Sequence, residues 1–253
     1  MIAPPSAEEL RRVVALKPGR WARRRERYSY FAPDDWYEAL LRRLVTAETR
    51  WLDAGTGSSP FPHNPALATE LSQRCRLLVG VDPSPNIQAN PFLHERTQCR
   101  IEEYESAYRF DIITLRMVAE HLTDPPRVVA SLHDLLVPAG LVVIYTVNRW
   151  SPLSMLSALT PHRWHYPLKR RFWGGEEKDT FPVAYRMNTH RTLRRLFEPA
   201  GFAEQLFLRL DDLATFSQVN ALNWVELMTW RVLRLLRLVY PESCLLGVYQ
   251  RLS

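Results

Sequence analysis

Short apolar runs alternate with amphipathic stretches along most of this chain. "TRWLDAG", "RLLVGVD", "FDIITLRMV" and "LVVIYTV" are compact and rich in β-branched residues, which suits strands buried on both faces. Between them, "NPALATELSQRC" and "PPRVVASLHDLLVPAG" carry apolar positions at helical spacing, the second predicted to run to Gly140. Two helices are predicted before the first strand. Ser6 with Glu9 has capping-box spacing ahead of a helix over Ala7 to Leu16, and Asp35 with Glu38 has it ahead of the stripe Trp36, Leu40, Leu41 and Leu44. The third strand is faint, with "TQCRIEEY" its only candidate. After residue 188, Thr189 caps a helix "HRTLRRLFEPAG" with His190 in its first turn; "FAEQLFLRL" is a strand, a long helix covers about 216 to 239, and "SCLLGVYQRL" closes the chain as a strand. Strands alternating with helices imply a doubly wound, mostly parallel α/β sheet.

That long helix carries Val225, Met228, Val232, Leu235, Leu236 and Val239 on one stripe, with Arg231, Arg234 and Arg237 on a neighbouring face and Trp224 and Trp230 nearby. Packing between the last two strands accounts for the stripe; a lipid-touching helix is the alternative, and it would favour a lipid or quinone-like acceptor. Residues 149 to 187 interrupt the rhythm with proline, tryptophan, histidine and a basic run, and form an insertion whose aromatics need a partner.

A chain of 253 residues fits one large α/β domain or two small ones, and 46% apolar composition supplies a real core. Its formal charge of +6 favours acidic partners, an anionic ligand or a membrane surface, without demanding any of them. Cys75, Cys99 and Cys244 are scattered, with no zinc spacing and no disulfide framework, so no metal is expected and a reducing, cytoplasmic setting is. The stretch "MIAPPSAEELRRVV" lacks the apolar h-region of a signal peptide and no stretch of ~18 residues is free of charge, so neither a leader nor a membrane span is expected.

The chemistry concentrates in "RWLDAGTGSSPFPHNP". The chain has only nine glycines, yet Gly55 and Gly57 stand one apart behind Asp53, where a strand ends. Glycine there lets a ligand approach backbone at the carboxyl ends of parallel strands. A sharp turn alone would also use glycine. A dinucleotide site would need a third glycine at position 60 and a helix starting at once; Pro60, Pro62 and Pro65 stand in the way. The stretch instead resembles motif I of class I S-adenosylmethionine-dependent methyltransferases, an acid followed by G-x-G-x-G, with Ser59 where the third glycine often stands.

The resemblance continues in order over Trp51 to Trp150. "VGVDPS" supplies Asp82 as the acid ending strand two, which in that family binds both ribose hydroxyls, followed by Pro83. Arg100-Ile101-Glu102 stands where the family usually has Asp-apolar-Glu beside the adenine, the aspartate being absent. "FDIITLRMVAEHLTDPPRVVASLHDLLVPAGLVVIYTVNRWS" resembles the family's strand four, its Glu-His helix, the turn before strand five and the Thr-x-Asn-Arg-Trp after it. The resemblance implies a seven-stranded sheet and a cofactor site of Asp53, Gly55, Thr56, Gly57, Asp82, Pro83, Ile101, Glu102, Leu115 and Arg116. It implies S-adenosylmethionine as cofactor and S-adenosylhomocysteine as product.

Methyl transfer is an in-line displacement needing an aligned nucleophile and, for a hydroxyl or acidic carbon, a base. His121 is the candidate by position, although Glu120-His121 also shapes this turn where no base is used. In the family the segment after strand five often folds over the acceptor, which points to Trp150, His165, Tyr166 and Arg186, with His162, Trp164, Trp173, Lys169, Arg170 and Arg171 as neighbours. "LRMV" replaces the Asn/Asp-Pro-Pro-aromatic box of nucleic-acid amino methyltransferases, so a small-molecule, lipid or glycan-intermediate acceptor is expected and nucleic acid is not. The expected organisation is one domain over 1–253: a helical lid over 1–49, a cofactor core over 50–148, a substrate cap over 149–187, and the rest of the core over 188–253. The alternatives are a nicotinamide-dependent oxidoreductase and an inactive binding protein of the same fold. Oligomeric state is not legible.

Overall fold

The strands are apolar on both faces because helices cover both. The structure is a computed structural model that describes residues 3–16, 27–151, 154–155, 183–213, 219–238 and 242–252. Its seven strands are β1 (Arg50–Ala54), β2 (Leu77–Val81), β3 (Glu95–Thr97), β4 (Phe110–Arg116), β5 (Leu136–Val147), β6 (Phe202–Leu210) and β7 (Cys244–Arg251). They lie in the order β3-β2-β1-β4-β5-β7-β6, with β7 antiparallel to both neighbours and the other pairings parallel.

Alternate residues of each strand supply opposite faces. Trp51 and Leu78 join Leu10 and Val14 of α1 (Ala7–Leu16), Tyr37, Leu40 and Leu44 of α2 (Pro33–Leu44), and Leu67 and Leu71 of α3 (Pro65–Arg74). Leu52 and Val79 join Val128 and Leu132 of α4 (Pro125–Leu135), and Leu193 and Phe197 of α5 (His190–Phe197), on the other face. The chain therefore winds away from β1 in one direction and from β4 in the other. The crevice at their carboxyl ends is the topological switch point, where open α/β sheets take ligands.

Local chemistry sets the helix starts. Ser6 and Glu9 close a reciprocal capping box, and Thr189 accepts the Thr192 N–H at 3.1 Å. Three expectations need correction. Asp35 is not the cap of α2 but its third residue, its carboxylate accepting the Ala32 N–H at 2.9 Å. The helix after β4 stops at Leu135, and residues 136–140 open β5 instead, with Ala139 at φ +61°. Strand three is Glu95–Thr97, not 97–104; it is a three-residue edge strand exposed throughout, so it has no apolar signature, and Ile101 reaches the core from a 3-10 turn over 101–103.

A fourth correction concerns α6 (Asn220–Leu235), shorter than the expected 216–239. Its apolar stripe is not packed between strands. Asn223, Glu226, Leu227 and Trp230 are the buried positions, whereas Val225, Val232, Leu235 and Leu236 are exposed.

Candidate functional site

β1 ends on a buried carboxylate followed at once by a positive-φ glycine. Asp53 sits in register with Thr114 of β4, and the two are joined by a relay in which Trp51 Nε1 donates to Thr114 Oγ1 at 2.8 Å and that hydroxyl donates to Asp53 Oδ1 at 2.6 Å. Asp53 Oδ2 is buried and has no partner. Burial pushes the Asp53 carboxyl up to about 6, the Thr114 and Thr56 hydroxyls opposing the shift only in part. A buried oxygen left with an empty lone pair is costly unless something supplies a proton or a cation.

The chain then turns on Gly55, at φ +74°, whose N–H donates to the Val81 carbonyl of β2 at 2.6 Å. A Cβ on Gly55 would lie 2.1 Å from Val118 Cγ2, so both the conformation and the space demand glycine. Gly57, at φ +51°, differs in one respect. A Cβ there would meet nothing within 4 Å, so open space lies against its backbone.

Asp82 follows β2 and closes the other side. Its Oδ2 accepts the Gly57 N–H at 2.8 Å and its Oδ1 the Ser84 N–H at 2.7 Å, which ties the glycine turn to the tip of β2. Each carboxylate oxygen keeps a further lone pair for a hydroxyl donor. Asn90, fully buried, donates to Thr56 Oγ1 and to the Gly57 carbonyl, both at 3.2 Å, and holds the turn from behind.

Asp53, Gly55, Gly57 and Asp82 are thus brought together at one crevice. Thr56 is adjacent: its hydroxyl accepts from Asn90 and acts on the Asp53 carboxylate, and its methyl would press on any Cβ at Gly80, leaving its backbone for a ligand. Leu115 and Ile101 are core side chains, and Glu102 is part-exposed beside Ile101 in the 3-10 turn. Pro83 is exposed at the tip of β2, its carbonyl accepting from Gln98. Arg116 pairs with Asp34 of α2 at 3.0 Å and lies over the Tyr145 ring, fastening the N-terminal helices to the end of β4.

Directly after β4, Met117 adopts φ +52°, a conformation rare outside glycine, and turns the chain into residues 118–121. His121 sits in that turn, partly buried, its N–H donating to the Val118 carbonyl. Glu120 is buried: its carboxylate accepts the Thr146 hydroxyl at 2.7 Å, and its carbonyl accepts the N–H groups of Ala184 and Tyr185. Asn188 completes this node by donating to Thr146 Oγ1 at 2.8 Å and to the Val147 carbonyl at 3.0 Å.

Trp150 and Arg186 meet in a second cleft of about 750 Å³, lined also by Asn148, Tyr185, Thr189 and His190. Arg186 donates to the Thr123 carbonyl at 2.6 Å, so it also braces the turn after β4. His190 is bound to Glu204 at 2.9 Å and stacked on Phe207, consistent with a structural place in α5. His162, Trp164, His165, Tyr166, Lys169, Arg170, Arg171 and Trp173 lie outside the described residues.

Sequence reasoning missed Asn90, Thr114 and Asn188, whereas Glu120 has the turn-shaping place expected of it. Thr114 had a signal: it is the lone hydroxyl inside the apolar run of β4. Among the described residues no cluster fit to hold a metal ion is present, and no helix is long and apolar enough to cross a membrane.

A family model described as a methyltransferase domain matches residues 17–204. A curated relative, the ubiquinone biosynthesis O-methyltransferase of Leptothrix cholodnii, is 29% identical over 136 residues, covering 49% of this chain and 54% of that protein. The chain spans about half the length of the curated relatives it matches. Among solved structures, a chain of the Haloferax volcanii complex between the Trm112 methyltransferase activator and a methyltransferase aligns with a TM-score of 0.56 at 16% identity, covering 97% of this chain and 98% of that one. The N-methyltransferase NodS of Bradyrhizobium japonicum, in complex with S-adenosyl-L-homocysteine, aligns with a TM-score of 0.50 at 15% identity, again over 97% and 98%. At these identities the structural likeness speaks for the fold.

Proposed function

Because the chain belongs to the methyltransferase-domain family, we propose that it transfers a methyl group from S-adenosylmethionine to an oxygen of a small-molecule or lipid-like acceptor, releasing S-adenosylhomocysteine. Its sheet is the class I methyltransferase fold. Oxygen is favoured over nitrogen and carbon because the curated relatives are named O-methyltransferases. The family match sets aside the nicotinamide-dependent alternative, as the prolines after Gly57 already did. We assign the enzyme to the cytoplasm, a reading supported by its three free thiols.

One observation carries the proposal: an unpartnered buried carboxylate oxygen on Asp53 and a hydroxyl-accepting carboxylate on Asp82 flank open space at Gly57. These residues fit the cofactor's chemistry, since its amino-acid end carries an ammonium and its ribose two hydroxyls. When bound, it supplies an electrophilic methyl on a sulfonium sulfur. Asp53 Oδ2 would take the ammonium, Gly57 would give the backbone clearance while Gly55 makes the turn that presents it, and Asp82 would hold the sugar. His121 would receive the acceptor's hydroxyl proton as the oxygen–carbon bond forms and the sulfur–carbon bond breaks. Trp150 and Arg186 would face the acceptor from the neighbouring cleft.

Turnover of methyl-labelled cofactor on a panel of phenolic acceptors, with and without a prenyl tail, tests the reading. In that assay His121→Ala is expected to slow turnover by ~10²–10³-fold and to leave cofactor affinity unchanged. A wild-type rate would remove His121 from the mechanism.

The Asp53 assignment predicts a pH dependence. With the folded carboxyl at about 6, the group is mostly charged at about pH 7.5 and mostly neutral at about pH 5. Affinity for S-adenosylhomocysteine should therefore fall about tenfold over that interval, one decade of protonation below the pKa. Because the folded value lies above the ordinary 3.8, the unliganded fold loses stability from this group as pH rises from 3.8 to about 6, and an ammonium ligand offsets that loss above it. Asp53→Asn should weaken binding and flatten the pH profile; an unchanged slope in that variant would contradict the assignment.

A further inference from the structure

The last described helix is amphipathic in the reverse sense. Its inward face holds two polar residues: Asn223 donates to the Leu213 carbonyl and to Glu226, both at 2.9 Å, while Trp230 Nε1 donates to Asp211 at 2.8 Å. The opposite face, half a turn away at 100° per residue, carries Val225, Val232, Leu235 and Leu236. All four are more than half exposed, Leu235 at 83%. Scattered exposed leucines need no explanation, but a contiguous apolar face on one helix does.

Charge decides what fits against it. Residues 219–238 contain three arginines, Arg231, Arg234 and Arg237, all exposed, Arg234 lying over the Trp230 ring at 5.0 Å, and a single acid, Glu226, which is buried. A second copy of the chain seated on this helix would bring arginines against a surface with no acid to answer them. An anionic lipid surface answers both features, taking the apolar side chains below its headgroups and the guanidinium groups among its phosphates. We propose that α6 docks this chain peripherally on an anionic membrane.

Placement in the fold gives the docking a use. α6 packs on Tyr28 and Tyr30 ahead of α2, and hangs from the end of β6. That end lies beside the end of β5, the Ser243 N–H donating to the Leu210 carbonyl and the Asn148 N–H to the Ser243 carbonyl. The helix is therefore attached at the carboxyl end of the parallel strands, the end that carries the glycine turn, although at β6 rather than β1, and an acceptor dissolved in the bilayer would arrive at that end. Docking itself does not depend on the methyl-transfer reading.

Flotation of the full chain with phosphatidylcholine vesicles, with or without phosphatidylglycerol, tests the proposal. The chain is expected to float with the anionic vesicles, and less as salt rises. The combined Val232→Asp and Leu235→Asp variant should stay at the bottom, with an unchanged thermal melt because both side chains are outward. Replacing Arg231, Arg234 and Arg237 together by glutamine should weaken vesicle affinity by ~100-fold at low salt. Wild type that remains at the bottom with both vesicles, or aspartate variants that float like wild type, would overturn the proposal. So would a concentration-dependent dimer in vesicle-free sedimentation that the aspartate variant dissolves, since that assigns the face to a second copy.

Discussion

Gly55→Ala is expected to lower the stability of the folded chain by about 3 kcal/mol, the sum of two independent penalties. An L-residue held in the left-handed region loses ~1–2 kcal/mol, and the backbone here sits at φ +74°. The new methyl would also stand 2.1 Å from Val118 Cγ2, and relieving such overpacking typically takes ~1–3 kcal/mol. Urea unfolding measures the total. Adding Val118→Ala to the variant should recover the steric part and leave the conformational part, so the double variant lies between the single variant and wild type. Gly57→Ala is the contrasting case. With open space around it, only the milder backbone penalty applies, and the main effect should be on ligand affinity because the methyl occupies space the ligand needs. A Gly55→Ala protein that unfolds with wild-type stability would show that the turn differs from the one described.

Asp82→Ala should weaken S-adenosylhomocysteine binding by ~1–3 kcal/mol, roughly 5- to 150-fold in Kd. The carboxylate has two tasks, and they separate experimentally. It accepts the N–H groups of Gly57 and Ser84 at 2.8 and 2.7 Å, so its loss also loosens the unliganded turn, which a melt of the free protein reports. Its remaining lone pairs are the proposed ribose acceptors, which calorimetry with the nucleoside product reports. Asp82→Asn keeps one acceptor oxygen and should fall between the two. An unchanged Kd in the alanine variant rejects the sugar assignment.

The fold was legible where burial is two-sided. β1, β2 and β4 and the inner part of β5 stand out because buried strands need apolar residues at every position, and Asp53, Gly55, Gly57 and Asp82 interrupt those runs at their ends, where ligands bind in such sheets. What failed to show was whatever tertiary context decides. β3 is a short exposed edge with no apolar pattern, and residues 136–140 extend a strand although "LLVPAG" continues a helical period. Asn90 and Asn188 are buried hubs of hydrogen bonding, yet one asparagine in a sequence is indistinguishable from a turn residue. The stripe on α6 was read correctly as a stripe and wrongly as packed, because periodicity locates an apolar face without saying which side the core is on.

The most direct test is amide hydrogen exchange with and without saturating S-adenosylhomocysteine. Protection is expected at residues 53–59 and 81–84, the two segments that Gly57 and Asp82 join. Protection confined to the cleft beside Trp150, or no change anywhere at concentrations that saturate other class I enzymes, would contradict a nucleoside held across the tips of β1 and β2.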